Sequence, residues 1–224
     1  MANVKISALP AASTPLTGAE LVPIVQSGVT SQTTFGDFGA AVSYTPSGTG
    51  AVETTVQSKL RESVSVKDFG AVGDGTTDDT VAIQAAIDYC RTLPSVLFGN
   101  STTSPYTDTA STLVFPPGKY VVTNSLWFGI NTSVTYNCSQ IVQNVFGYGA
   151  IIIGRTTGKP VFDMSGAFGM RVSGITIETD VAPVNSPPAN APNVGILLAR
   201  TGTAAINPSA GGHHFTDVYV HGHY

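Results

Sequence analysis

The 224-residue sequence has few charged residues, few basic residues and no long apolar run. Charged residues make up 11%, against about 25% in an average globular protein, so long helices with a charged, wet face are not expected. Lys and Arg together number 10 and the net charge is -4, which argues against nucleic acid as the main partner because phosphate binding needs clustered basic residues. Apolar runs such as Ala150 to Ile153 fall far short of the ~20 residues that span a bilayer.

Cysteine is also scarce, and a secretory signal is missing. Cys90 and Cys138 have no motif spacing, which favours two buried, reduced thiols over a disulfide bridge. The first residues, Met1 to Lys5, do not lead into the apolar core of a signal peptide. We therefore expect the chain to fold in the compartment where it is made.

Turn formers and β-branched residues are what the sequence has in abundance. It contains 24 Gly and 14 Pro among many Val, Ile and Thr residues, which indicates a mainly β protein with short strands. Residues 1–43 are predicted to form a small β-rich module, with an edge strand interrupted by Pro23 and a turn at Ser27 and Gly28 into a second strand up to Phe35. A flexible tail is the alternative, because so short a segment buries little core by itself.

Residues 44–62 are predicted to form a linker and a helical neck. The stretch YTPSGTG, from Tyr44, is typical of a linker. Val52, Val56 and Leu60 follow at i, i+4 and i+8, on one side of a helix of about three turns. Three such stripes could bury one another around the axis of a trimer, and packing against the same chain is the alternative.

Residues 63–110 are predicted to form the start of a β-structure and a helix that closes one end of it. A Gly-rich turn precedes a helix whose N-cap is predicted to be Thr77, with Asp78 and Asp79 in the first turn, where the helix dipole favours negative charge. One face of the helix is apolar. The residues on it are Ile83, Ala86, Ile87 and Cys90.

Residues 111–224 show the spacing of a solenoid. Three six-residue stretches, SGITIE, VGILLA and TDVYVH, begin at Ser173, Val194 and Thr216, at steps of 21 and 22 residues. Near-constant steps of this size predict successive stacked coils, and YGAIII, from Tyr148, is a further, earlier coil. Pro117 and Gly118 predict a type II turn between two strands.

The alternation within the three stretches predicts which side chains face inward. Their second residues are of types that tolerate a left-handed backbone at a corner, namely Gly174, Gly195 and Asp217. The predicted inward-facing residues are Ile175, Ile177, Ile196, Leu198, Val218 and Val220.

Two segments resemble known families. DFGAVGDGTTDDTVAIQAAI, from Asp68, is similar to the N-terminal signature of the pectate-lyase-like β-helix superfamily, which includes polysaccharide hydrolases, lyases and many phage tailspikes. KISALPAASTPLTGAELVPIVQSGVTSQTTFGDF, from Lys5, is similar to the virion-attachment segment of phage tail fibres and tailspikes. Together the resemblances imply a right-handed parallel β-helix, incomplete in this chain, behind an attachment module, a short helical neck and a capping helix.

The function that the resemblance implies is that of a phage tailspike or receptor-binding protein. It implies a homotrimer in the virion, made in the cytoplasm of the host bacterium. Residues 1–43 would bind a tail or baseplate protein, and the β-helix would bind host capsular polysaccharide or lipopolysaccharide. The chain would stop within the β-helix, because a β-helix ending at Tyr224 would expose its last rung. A complete β-helix hydrolase or lyase and a purely structural baseplate or fibre protein are the alternatives.

No catalytic, cofactor-binding or metal-binding residue is predicted. The turn Gly70–Gly75 is not followed by the Lys-Ser/Thr of a phosphate loop, and turn and cap roles account for Asp74, Asp78 and Asp79. Glycosidases need two carboxyl groups roughly 5 to 9.5 Å apart. The carboxylates available from residue 111 onward are Asp163, Glu178, Asp180 and Asp217, and they offer no convincing pair.

Other groups that could do chemistry are scattered or incomplete. Glu178 is predicted to lie two coils and about 10 Å from His221 on a wet face that could border a saccharide groove. His221 and His223 share a strand face with Tyr219, but a metal site usually needs a third ligand, and the other histidines are His213 and His214. A lyase would need a cation beside its base, and Lys119, Lys159, Arg155, Arg171 and Arg200 fall in different coils. The chain itself is therefore predicted not to cleave polysaccharide.

Overall fold

The chain divides into two compact units, Met1–Glu62 and Ser63–Tyr224, in a computed structural model. The structure describes residues 19, 21–34, 42–93, 95–97, 107–129, 141–156, 158–165, 167, 169–178, 194–198 and 212–221. Cys138, Asp180, Arg200 and His223 lie outside the described residues.

The first unit contains the predicted hairpin. Strands β1 (Leu21–Gln26) and β2 (Val29–Thr34) pair antiparallel through a two-residue turn. Ser27 and Gly28 both have positive φ, at 50° and 79°, which is the backbone of a type I′ turn and matches the twist of the strands it joins. The predicted strand–turn–strand in this segment is confirmed.

The neck helix is shorter than predicted. Strand β3 (Ser43–Tyr44) pairs with β4 (Thr54–Thr55), and helix α1 (Val56–Leu60) follows directly. The Thr55 hydroxyl accepts from the backbone N–H of Ser58 at 3.0 Å and thereby sets the first residue of the helix. Val52 therefore precedes the helix, and only Val56 and Leu60 lie in it. The predicted three-turn helix with a stripe of Val52, Val56 and Leu60 is wrong.

The second unit is a partial parallel β-helix, as predicted, with two sheets around one core. In the part of the chain that the structure describes, the larger sheet has nine strands: β5 (Val64–Ser65), β6 (Asp74–Asp78), β7 (Ser95–Leu97), β8 (Thr107–Val114), β9 (Gly118–Val122), β11 (Ile141–Gly154), β13 (Arg171–Glu178), β15 (His214–Thr216) and β16 (Tyr219–Val220). The smaller sheet has three strands: β10 (Leu126–Trp127), β12 (Pro160–Asp163) and β14 (Val194–Leu197). All neighbouring strands in both sheets pair parallel except β7, which pairs antiparallel with β8.

The core lies inside the coils and is built from stacked rows of apolar side chains. Leu113, Val145 and Val172 are in register on successive strands and each is at most 1% exposed. Each buried aliphatic side chain of this kind stabilises the fold by about 1.5–3 kcal/mol. Ile175 and Ile177 are fully buried, as the alternation predicts, whereas Leu198 and Val220 are exposed.

The predicted stacking of three consecutive coils is wrong. Ser173 pairs directly with Thr216, while the first four residues of VGILLA form strand β14 of the smaller sheet, which pairs with β12. The steps of 21 and 22 residues therefore lead from one sheet to the other and back, and they do not mark one coil each. The alternation of apolar residues is the same in both sheets, so the sequence pattern could not distinguish them.

Helix α2 (Thr80–Thr92) covers one end of the coils with its apolar face. The four predicted residues Ile83, Ala86, Ile87 and Cys90 are all completely buried in the core cluster, with Cys90 present as a thiol. On the same helix, the Gln84 amide accepts from the Trp127 N–H at 2.8 Å and donates to its carbonyl at 3.1 Å. Gln84 thus satisfies the backbone of β10 as a neighbouring strand would.

The aspartates before helix α2 have structural roles, but the predicted N-cap is wrong. The N-cap position is Asp79, and Thr77 belongs to β6, where its N–H and hydroxyl both donate to Asp74 at 2.8 Å. Together with a third hydrogen bond, from the N–H of Thr76 at 2.8 Å, these bonds hold the pKa of the Asp74 carboxyl well below its usual range. Asp78 accepts from the N–H of Thr80 at 3.0 Å.

The turn at Pro117 and Gly118 is also not of the predicted type, because Gly118 does not have the positive φ of a type II turn. Gly118 is instead the first residue of β9, and a Cβ there would lie 2.8 Å from the carbonyl oxygen of Gly73. The glycine is needed for a close approach of two backbones.

Candidate functional site

The outer face of the larger sheet carries exposed aromatic side chains on two strands that flank β13. Phe146 and Tyr148 lie on β11 and Tyr219 lies on β16, with exposed fractions of 40%, 58% and 63%. Phe146 is in register with Ser173 of β13, and Tyr219 with Thr176 of the same strand. We call these three aromatic residues, with the hydroxyl-bearing residues between them, the outer aromatic surface.

A bulge in β11 brings the ring of Tyr148 onto the backbone of Gly174. The register shifts between Phe146 and Ala150, so that residues 147–149 lie opposite the single residue Gly174. A Cβ on Gly174 would lie 2.5 Å from Cγ of Tyr148 and 2.7 Å from both Cδ atoms. Gly174 also has a φ of 71°, as predicted for a corner. Glycine is therefore required here both for the turn and for the contact with the ring.

Asp217 on the next coil holds the hydroxyl of Tyr148. Tyr148 Oη donates to Asp217 Oδ2 at 3.2 Å. Asp217 has the predicted left-handed backbone, with a φ of 52°, whereas Gly195 does not have a positive φ. Burial, together with the hydrogen bond and the charge of Asp217, raises the pKa of the Tyr148 hydroxyl. The hydroxyl therefore stays protonated, and remains a donor, at neutral pH.

Glu178 and His221 lie closer together than the sequence predicts. Ile177 pairs with Val220, so Glu178, the last residue of β13, and His221, which directly follows β16, are one coil apart and not two. His221 Nε2 lies 3.7 Å from Glu178 Oε2, and the pair forms an ion pair only when the histidine is protonated. Both side chains remain partly exposed at the end of the outer aromatic surface.

The three histidines that the structure describes, His213, His214 and His221, do not converge on one point. His213 accepts from the N–H of Met170 through Nδ1 at 3.3 Å, and burial lowers its pKa. His214 lies on β15 in register with Arg171. Within the described ranges, no group of three or more His, Cys, Asp or Glu side chains could hold a metal ion.

The carboxylates of the β-helix are also separated. Asp163 lies in the smaller sheet and accepts from the N–H of Ser165 at 2.9 Å. Asp217 is level with Gly174, four residues before Glu178, which corresponds to about 13 Å along a strand. The two carboxylates have separate partners, Tyr148 and His221. Asp217 and Glu178 are therefore farther apart than the paired carboxyl groups of a glycosidase.

The possible cations are likewise dispersed. Lys119 lies on β9 and Arg171 on β13, two strands apart in the larger sheet. Lys159 donates to Asn124 at 3.2 Å, and the N–H of Arg155 donates to the carbonyl of Val122 at 2.8 Å. Arg155 follows β11, two residues after Ile153, which is in register with Glu178.

Tyr148 is the main residue of this surface that the sequence interpretation did not identify. It begins the stretch YGAIII, which was assigned to a coil without a role for its aromatic residue. The sequence signal that could have pointed to this contact was an aromatic residue next to a glycine, Tyr148 and Gly149, with a second glycine, Gly174, on the next coil. A bulge could not be inferred from that pattern, because it depends on the register between strands.

The parallel coils closed by helix α2 define the chain as a pectate-lyase-like β-helix protein. The model of the family described as rhamnogalacturonase A/epimerase, pectate lyase-like, matches residues 63–194, and the chain belongs to this family. The family predicted from the segment beginning at Asp68 is thus confirmed.

Individual relatives and solved structures match this chain over part of its length, at 19–33% sequence identity. Mannuronan C5-epimerase AlgE5 of Azotobacter vinelandii is 33% identical over 110 residues, which is 49% of this chain and 8% of the epimerase. The surface adhesin PfbA of Streptococcus pneumoniae is 20% identical, with a TM-score of 0.42 over 70% of this chain and 33% of the adhesin. Tailspike protein 3 of bacteriophage CBA120 is 19% identical, with a TM-score of 0.42 over 65% of this chain and 22% of the tailspike. The chain therefore spans only a small part of the proteins it matches.

No helix in the described part of the chain is long and apolar enough to cross a membrane.

Proposed function

We propose that the chain is part of a phage tailspike that binds a polysaccharide of the bacterial surface through its β-helix. The observation that carries the proposal is the outer aromatic surface. Tyr148 and Tyr219 present more than half of their surface to solvent from strands β11 and β16, which lie on either side of β13, beside Ser173, Thr176 and Asp217. Large exposed apolar groups beside polar ones are typical of a binding surface.

The chemistry of this surface fits saccharides better than proteins or nucleic acids. Pyranose rings offer C–H faces that stack on aromatic rings and hydroxyls that pair with carboxylate and hydroxyl groups. The strands here supply both kinds of group at the same face, without the basic cluster that a nucleic acid requires. The relative from Azotobacter vinelandii is a mannuronan epimerase, a protein named for a polysaccharide.

Attachment to the virion is proposed for residues 1–43. Support comes from the resemblance of the segment beginning at Lys5 to the attachment segments of tail fibres and tailspikes. The β1–β2 hairpin within this segment is a defined element that a tail or baseplate protein could contact. We further propose that the protein assembles as a homotrimer, and that it binds host capsular polysaccharide or lipopolysaccharide from its position on the phage tail.

Saccharide binding is tested with an array of purified bacterial capsular polysaccharides and lipopolysaccharide O-chains. We expect the full-length protein that contains this chain to bind at least one of these polymers, and the same polymer in solution to compete. Absence of binding to the capsules and O-chains of bacteria that the phage infects would contradict the proposal. Retention of the signal with excess soluble polymer would show that the binding is nonspecific.

A further inference from the structure

Tyr148 is held as a flat platform on the outer face of the sheet. One side of its ring lies against Gly174, where even a methyl group would come within 2.5 Å of Cγ. Its hydroxyl is fixed to Asp217 at 3.2 Å. With 58% of the residue still exposed, the other side of the ring faces solvent. An exposed tyrosine fixed at both ends has already lost much of the side-chain entropy that ligand binding would otherwise cost.

The carboxylate beside the ring has acceptor capacity left. Asp217 accepts one hydrogen bond from Tyr148, through Oδ2, and an ionised carboxylate offers about four lone-pair positions. Asp217 is itself exposed, at the corner before Tyr219. The remaining positions can accept hydroxyl groups from a molecule that covers the ring. Hydrogen bonds to an ionised acceptor are roughly twice as strong as neutral ones.

We infer that Tyr148, Gly174 and Asp217 form a subsite for one uncharged hexopyranose unit of the bound polysaccharide. The sugar stacks its C–H face on the exposed side of the Tyr148 ring and donates hydroxyl hydrogens to Asp217. This inference rests on the proposed function and specifies which residues bind and which class of sugar unit they take. An acidic sugar is disfavoured because its carboxylate would lie beside the negative charge of Asp217.

The first test replaces the ring. Using a polymer that the full-length protein binds on the array, we expect Tyr148→Ala to weaken binding by about tenfold. Tyr148→Phe keeps the ring but loses the hydrogen bond to Asp217, and we expect it to weaken binding less, by about threefold. Tyr89→Ala is the matched control, because Tyr89 is also exposed but lies on helix α2, outside the outer aromatic surface. Unchanged binding by Tyr148→Ala would overturn the subsite.

The second test identifies the class of sugar. Asp217→Asn removes the charge and keeps the size, so it should weaken binding of an uncharged unit by about fivefold. Tighter binding by Asp217→Asn would show an acidic unit on the ring and overturn the inference. If the unmodified protein binds no polymer, both the proposed function and the subsite fail. If it binds and these variants bind equally well, only the subsite fails.

Discussion

Replacing Asp79 with asparagine is expected to destabilise the β-helix unit by about 3 kcal/mol. Asp79 is 1% exposed, and its two carboxylate oxygens accept from the N–H groups of Val72 at 2.6 Å and Gly73 at 3.1 Å. Its own N–H donates to the carbonyl of Val121 at 2.8 Å. Asp79, through its side chain and its backbone N–H, therefore joins the Gly-rich turn and strand β9 to the start of helix α2. Asparagine would place an amide donor against a backbone donor in a buried site.

Thermal unfolding followed by circular dichroism measures this effect. For a unit of this size, about 3 kcal/mol corresponds to a fall in Tm of about 6–12 °C. Asp88→Asn is the control, because the Asp88 side chain is 54% exposed on the same helix, where it accepts from the largely buried Arg91 at 2.7 Å. Asparagine keeps an oxygen that can accept the hydrogen bond from Arg91, so Asp88→Asn should cost about 1 kcal/mol, well below the cost of Asp79→Asn. Equal melting temperatures for Asp79→Asn and Asp88→Asn would contradict the role given to Asp79.

Deletion of residues 1–43 is expected to abolish incorporation of the protein into phage particles. The deletion removes the proposed attachment module and leaves the second unit, which has its own core, intact. We expect the full-length protein without residues 1–43 to be soluble and rich in β-structure. Light scattering should give it the mass of three chains. Immunoblots of purified particles should then detect the unmodified protein but not the deleted one.

Two results would contradict this assignment. Particles that contain the shortened protein would show that attachment does not need residues 1–43. A stable monomer, for either the shortened or the unmodified protein, would refute the proposed homotrimer.

Local features of the fold could be predicted from the sequence because their causes are local. The Ser27–Gly28 turn is set by two adjacent residues that accept positive φ. The buried face of helix α2 could be predicted because apolar residues at helical spacing all lie on one side of a helix. The inward positions of Ile175 and Ile177 follow from the two-residue period of a strand.

Features that depend on competition or on distant pairing could not be predicted in the same way. Thr77 is a good N-cap by type, but Asp74 takes up both its hydroxyl and its N–H, and the helix begins three residues later, at Thr80. The assignment of VGILLA to the smaller sheet depends on which strand it pairs with, and the alternation of its side chains does not encode that. The contact of Tyr148 with Gly174 has the same origin, because it is created by a bulge between two coils.

Adsorption of the phage to its host tests the central claim most directly. Host cells are incubated with purified full-length protein before particles that carry the same protein are added, and the unadsorbed particles are counted over time. If the β-helix binds the surface polysaccharide that the phage uses, the protein should saturate that polysaccharide and slow adsorption in a concentration-dependent manner. Adsorption that proceeds at the same rate in the presence of saturating protein would contradict a role in host recognition.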